Sequence, residues 1–441
     1  MLSITYLLLF FAVVFVETTR KKANLLDFLT FFNLNFVLFY IFPGFIFSRI
    51  AESPSSYAFD FQSNLQIVIS IYLGYFLVLI GFYSKSSTQL AKIIYIRKTN
   101  EKKLIKIAIF FIVFSFFSVL IYSAQYGGFS NALSQSSAIR SGLVEGGSLV
   151  LFKNFFDCAE YASYLFASLA FFGKNTKNKL ILYLFLGLSI ALTVITILLK
   201  SSRSSIIRYF ISFVLAYIIE RQKFPWLSII IGVFFAIAVI LYGDPFFASL
   251  SSIPEGYDSF IGNFSSRLEH QASTSTESNF EEDLAGDFSY TLKSLDTSFN
   301  NEYEFQWFSD FIFGFMTLIP ERLIPIETPQ SVTSINTFLA FGHNEWSFIP
   351  GFLALGIYSM SWMGLIMLCI SYGWLGRYLQ TILTKDKNYP PWVSFLYVVV
   401  MNVWSSLLSG GNPGGIIKGS AVFFLSIIFI FYVSKRKIKK F

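Results

Sequence analysis

Apolar runs of membrane-spanning length recur along this chain, separated by short polar or basic stretches. A helix needs roughly 17 to 25 apolar residues to cross the hydrocarbon of a bilayer. By that measure the pattern predicts eleven helices, at residues 2–16, 25–47, 65–83, 107–123, 149–172, 180–199, 205–219, 226–242, 348–372, 392–409 and 415–433. The expected fold is therefore all-α and polytopic. Residues 1–242 carry helices one to eight, 243–347 form one large loop, and 348–441 carry helices nine to eleven.

Composition agrees with this reading. Of 441 residues, 54% are hydrophobic and 13% charged, against about 25% charged in soluble domains, so the chain cannot cover itself with polar surface. The opening stretch, MLSITYLLLFFAVVFVETTRKK, has no basic region before its apolar run and no small-residue cleavage pattern after it. A retained first helix is expected. The two cysteines, Cys158 and Cys369, both lie in apolar runs, which leaves no disulfide framework and no zinc or CxxC reading.

Basic residues set the orientation, because cytoplasmic loops carry an excess of Lys and Arg. With the N-terminus outside, 23 basic residues fall on the inner side and seven, Arg49, Arg140, Lys200, Arg203, Arg267, Lys293 and Arg322, on the outer side. The expected topology is N-out, C-in. The net charge of +7 follows from this asymmetry and from attraction to anionic lipid, so it does not point to nucleic acid.

The loop at 243–347 holds 16 of the 26 acidic residues and both histidines, His270 and His343. Its polar middle, SSRLEHQASTSTESNFEEDLAGDFS, reads as a mobile stretch. Its aromatic second half predicts short helices lying over the bundle, broken at Pro320, Pro325 and Pro329.

Between two apolar runs stands LLKSSRSSIIRYF, residues 198–210. Arg203 falls in a tight external turn, and Arg208 about one helical turn inside the next span. Ser204 and Ser205 are candidate helix caps, which would leave free backbone donors and the positive end of a helix dipole at the same place. Two guanidiniums beside a helix start suit a phosphate. The plainer alternatives are that Lys200 and Arg203 extend to the membrane interface and that Arg208 pairs with a carboxylate. In span five, LFKNFFDCAEYASYLF puts Lys153, Asp157 and Glu160 on one helix face. A Lys153–Asp157 pair with Glu160 matched to Arg208 or hydrated is one account; a polar groove lining a site or relaying protons is the other.

SSRSSIIRYF between two spans resembles the Ser-Arg-rich turn of the Wzy-type O-antigen and oligosaccharide repeat-unit polymerases. SAIRSGLVEGG before span five resembles the Arg-containing segment of that family's smaller external loop. The late large loop, and GHNEW within it, are similar to the loop and His-Asn motif of these enzymes and of the related O-antigen ligases.

The resemblance implies a multi-pass enzyme of the bacterial cytoplasmic membrane that moves a growing glycan from undecaprenyl pyrophosphate onto a lipid-linked repeat unit. Its substrate would be an undecaprenyl-pyrophosphate-linked oligosaccharide within membrane lipid, with a chain-length regulator as a candidate partner. Arg203, Arg140, Arg322 and Arg208 would counter the pyrophosphate, because arginine stays charged and binds phosphate oxygens in a fork. His343 or Glu345 would accept the hydroxyl proton, and Trp346 and Trp307 would stack on sugars. No DxD motif or metal-ligand spacing occurs, so no metal and no cofactor is expected. A lipid-linked oligosaccharide flippase or proton-coupled transporter is the alternative.

Overall fold

The computed structural model describes residues 2–22, 24–49, 65–94, 96, 99–140, 148–173, 179–274, 288–316, 318–319, 330–344, 347–384 and 389–434. Among these the chain is all helical, without a strand. The principal helices are α1 (Leu2–Thr19), α2 (Phe28–Phe47), α3 (Leu65–Phe82), α4 (Glu101–Ala124), α5 (Asp157–Phe172), α6 (Lys179–Leu199), α7 (Arg203–Arg221), α8 (Trp226–Ser249), α9 (Gly351–Thr384), α10 (Trp392–Gly410) and α11 (Pro413–Ser434). Nine of them are long and apolar enough to cross a membrane, so the protein is a polytopic membrane protein. In α5 only 16 residues are α-helical, and α7 carries Arg203, Arg208, Glu220 and Arg221. Helices are the expected solution in lipid, where each backbone N–H and C=O must find its partner within the segment.

The chain divides into two compact units, one of residues 1–96, 278–387 and 399–420, the other of 97–277, 388–398 and 421–441. In the first unit α3 and α9 pack so closely that a Cβ on Gly81 would stand 2.1 Å from the Ile370 carbonyl, and one on Gly373 2.1 Å from that of Val78. Small residues allow this backbone approach, which lipid-embedded helices use in place of a hydrophobic drive. Asp27 caps α2, accepting from the Thr30 N–H at 2.9 Å, and also holds Arg20 at 2.6 Å. Farther along α2, Pro43 lacks the N–H that would reach the Phe39 carbonyl. The helix responds with a π turn at Val37–Ile41, and the Thr291 hydroxyl donates to Phe39 O at 2.5 Å.

One expectation about the first unit changes. Span nine, expected at 348–372, begins later, at Gly351, and ends later, at Thr384. Met360 and Ser361 leave helical geometry inside α9, Ser361 with φ of +54°. A short buried helix, 351–359, is thereby separated from a second one of 23 residues, 362–384, which rises about 34 Å and suffices to span. The short helices expected in the large loop are present at Tyr290–Asn300, Ser309–Met316 and Val332–Phe341, while Pro320, Pro325 and Pro329 lie outside the described residues.

In the second unit α5 is the central helix, packed by α4 and α6. Its Ala159, Ala162, Ser163, Ala167, Ser168 and Ala170 are small and buried, which lets both neighbours approach. The polar middle of the large loop is more ordered than its composition suggests: SSRLEHQAST belongs to a helix, Tyr257–Thr274. That helix packs on α8, and Phe246 meets Phe260 with ring centroids 5.9 Å apart, so apolar burial on one side offsets the cost of ordering a polar sequence. Residues 275–287 lie outside the described residues.

Candidate functional site

In the second unit α5 and α7 begin at the same end, and α6 and α8 finish there. The Lys200–Ser202 turn joins α6 to α7, and Arg203 beside it pairs with Asp244 near the end of α8 at 2.7 Å. The Tyr209 hydroxyl donates to Ser163 Oγ at 2.9 Å, fastening α7 to α5. Because Arg208 precedes Tyr209 and Glu160 precedes Ser163 by three, this bond brings the two charged residues to one level. Arg208 lies about 7.5 Å along α7 from its first residue.

The local geometry of the turn differs from the capping pattern expected for Ser204 and Ser205. The cap residue is Ser202, Arg203 is the first residue of the helix, and Ser202 Oγ lies 2.8 Å from Ser205 Oγ. No serine side chain accepts a backbone N–H at this start. Ser201 takes φ of +49°, a left-handed conformation unusual outside glycine, and its carbonyl accepts a hydrogen bond from Arg140 Nη1. That contact brings Arg140, from the short helix Ser136–Arg140, to the turn.

Lys200, a candidate for extension toward the interface, has a carboxylate partner. It pairs with Asp157, and both side chains are about three-quarters buried. The expected Lys153–Asp157 pair is absent, because residues 148–156 wind as a 3-10 helix and only from Asp157 onward as an α-helix. Three residues per turn rather than 3.6 rotate Lys153 off the stripe that continuous α-helix would give. Lys153 instead has Lys200 and Arg140 as its charged neighbours. Glu160 accepts the Tyr164 hydroxyl at 2.8 Å, and its principal opposite charge is Arg208, as expected. Arg208 is solvent-exposed although protein crowds it closely.

Four cations, Arg140, Lys153, Lys200 and Arg208, thus meet two carboxylates, Asp157 and Glu160. With all six ionised, two positive charges remain uncompensated, and the surplus stays positive if either Lys153 or Glu160 is neutral. Arg203 adds none, since Asp244 balances it. Its stem passes over Gly243, where a Cβ would stand 2.5 Å from Arg203 Cδ. The start of α7 adds a positive dipole end. The arrangement is suited to an anion with more than one negative charge.

Three of the expected phosphate ligands, Arg140, Arg203 and Arg208, are therefore gathered in the second unit. His343 and Trp307 belong to the first unit. Arg322, Glu345 and Trp346 lie outside the described residues. The segment containing His343 is held at both flanks. Gly342 ends the preceding helix at φ of +76°, and Asn336 donates to Phe348 O at 2.9 Å while accepting from the Tyr358 hydroxyl at 2.9 Å. Lys293 Nζ stands 4.3 Å from the centre of the Phe341 ring and 5.8 Å from that of Phe348. Burial in this setting pushes the Lys293 ammonium below its ordinary pKa.

Asp244 and Gly243 were not singled out from the sequence. Their signal is the run YGDPFF, in which a carboxylate and a residue without a side chain interrupt an apolar helix near its end. No family model, no curated protein and no solved structure matches the chain.

Proposed function

We propose that the chain is a membrane glycosyltransferase that polymerises oligosaccharide repeat units, transferring a growing glycan from undecaprenyl pyrophosphate to a lipid-linked repeat unit. The reaction takes place at the outer face of the bacterial cytoplasmic membrane, with all eleven apolar helices spanning in the N-out, C-in sense. The observation that carries this reading is the uncompensated positive charge at the starts of α5 and α7. A pyrophosphate diester carries two negative charges and matches that surplus.

In the reaction the acceptor hydroxyl attacks the anomeric carbon of the donor, a new C–O bond forms, and the bond from that carbon to the pyrophosphate oxygen breaks. The electron pair leaves with the lipid pyrophosphate, whose growing charge Arg208, Lys200 and Arg140 stabilise without needing to lose or gain a proton. The acceptor's proton must go to a base, a role for which the resemblance implies His343 or Glu345.

The test is glycan transfer between purified lipid-linked repeat units in liposomes, with donor binding measured separately. His343→Ala should cut transfer by about 10²- to 10⁴-fold, as for a lost acid-base group, with donor binding nearly unchanged. A wild-type protein that neither binds the pyrophosphate donor nor lengthens the glycan would end the proposal. Carboxylates inside α5 favour a second reading, a flippase or proton-coupled transporter. The lipid-linked glycans of a deletion strain separate the two: single repeat units on the lipid core mark a polymerase, and internal accumulation with loss of surface glycan marks a flippase.

A further inference from the structure

The short helix Ser309–Met316 in the large loop has its polarity reversed. Its acid, Asp310, is buried and accepts the Val332 N–H with both oxygens. Its large apolar residues point the other way: Ile312 is 67% exposed and Phe315 64%. Leu318 and Ile319, just after it, are each 47% exposed, and the stretch FIFGFMTLI, residues 311–319, contains no charged residue. At 3.6 residues per turn, Asp310 and Gly314 share one face of the helix, while Ile312 and Phe315 lie on the opposite one. A helix facing water has the converse pattern, with its charged residues outward and its apolar stripe inward.

A second observation gives the depth of this helix. Gly314 sits against the first turn of α11, where a Cβ on it would stand 3.1 Å from Gly414 Cα and 2.8 Å from Ile417 Cδ1. The 22 residues of α11 rise about 33 Å, close to the roughly 30 Å of hydrocarbon in a bilayer. Its first turn therefore lies at the membrane boundary, and the short helix lies there with it. On the same face of α11, two turns beyond Ile417, Phe424 is exposed, as is Leu425 beside it. The flank on which the short helix rests thus continues as a lipid-facing surface.

We propose that residues 309–319 are an interfacial anchor, bedded among the acyl chains of the leaflet that α11 enters first. The inference stands apart from the proposed reaction. A helix lying in the interface buries its apolar face about 5 to 10 Å into the boundary between headgroups and acyl chains, which suits Ile312 and Phe315. Lipid already borders this flank of α11, so no further protein is needed to cover them. The backbone before the helix is fixed where the break in α9 frees two carbonyls, Gln306 N donating to Tyr358 O at 3.1 Å and Trp307 N to Ser359 O at 3.0 Å. On its inner face, Asp310 ties the anchor to the start of the helix Val332–Phe341, which ends at Gly342, next to His343. Bedding the one in lipid sets the height of the other above the membrane.

The experiment uses the full-length protein in vesicles of phosphatidylethanolamine and phosphatidylglycerol. Ile312→Cys and Phe315→Cys each carry a nitroxide, whose depth is read from its collisions with oxygen and with a nickel chelate. The wild type, with Cys158 and Cys369 both buried, is the labelling blank. Both labels should lie about 5 to 10 Å below the lipid phosphates, and a label at Glu302→Cys, an exposed position, on the aqueous side. Labels at 312 and 315 that meet the nickel chelate as freely as the one at 302 would overturn the anchor. So would labels shielded from both reagents, the mark of a second copy or another protein on this face. Should a variant misfold, the unaltered protein is irradiated in vesicles whose acyl chains carry a diazirine. Adducts on residues 311–319 and none on 302–304 are expected, and a 311–319 segment without adducts would likewise overturn the proposal.

Discussion

Removing Arg208 tests the charge argument most directly. At roughly 4 Å and an effective dielectric of about 20, opposite unit charges attract by about 4 kcal/mol. Arg208 is open to solvent, so about half of that, ~2 kcal/mol, is the appropriate figure, and at 1.4 kcal/mol per decade it corresponds to roughly a 30-fold loss of affinity for pyrophosphate. Arg203 should matter less. It already holds Asp244 at 2.7 Å, with side chains 40% and 69% exposed, and such pairs contribute about 0 to 1 kcal/mol. Arg203→Ala should therefore weaken binding by about fivefold at most. Glu160→Gln should act in the opposite direction, because deleting one of the two carboxylates raises the positive surplus and tightens binding. The assay is calorimetric titration of inorganic pyrophosphate, then of undecaprenyl pyrophosphate, into protein in nanodiscs, with Arg208→Lys as the charge-preserving control. A larger loss for Arg203→Ala than for Arg208→Ala, or weaker binding in Glu160→Gln, would refute the reasoning.

Further outcomes are open to measurement. Reporters fused after residue 95, 176 or 381 should report cytoplasm, and one inserted near 275 the exterior; an exterior signal at 176 would remove the eleven-span topology. Gly243→Ala should reproduce the effect of Arg203→Ala on pyrophosphate binding, since the added carbon would stand 2.5 Å from Arg203 Cδ, whereas Gly232→Ala, with no atom within 4 Å, should be neutral. Asp310 accepts the Val332 N–H with both oxygens, at 3.0 and 3.2 Å, and burial pushes its pKa up. Folding then favours the protonated acid, so its contribution is fully present below the unfolded pKa of about 3.9 and declines as pH rises through the folded value. Asp310→Asn should flatten that dependence in thermal unfolding, and Asp310→Ala should cost about 1 to 3 kcal/mol by leaving a buried N–H unpaired.

Hydropathy is a local property that adds along the chain, so the sequence alone placed every long apolar helix and the class of protein. It also marked SSRSSIIRYF, because charge between two apolar runs is conspicuous whatever the fold. Local rules went astray where two conformations compete. The serines of the turn were equal candidates for the cap until backbone geometry chose Ser202, and residues 148–156 wound as 3-10 helix where a continuous apolar run suggested α. The break at Met360–Ser361 is invisible to hydropathy, since it lies within the apolar run and only the loop N–H groups of 306–307, donating to the freed Tyr358 and Ser359 carbonyls, make the interruption tolerable. Charge partnership was beyond local reading altogether. Whether Asp157 meets Lys153 or Lys200, and whether Arg203 meets Asp244, depends on which helix packs beside which. Coulomb energy falls with distance in space, and residues 43 or 41 positions apart in sequence become neighbours only when the helices assemble.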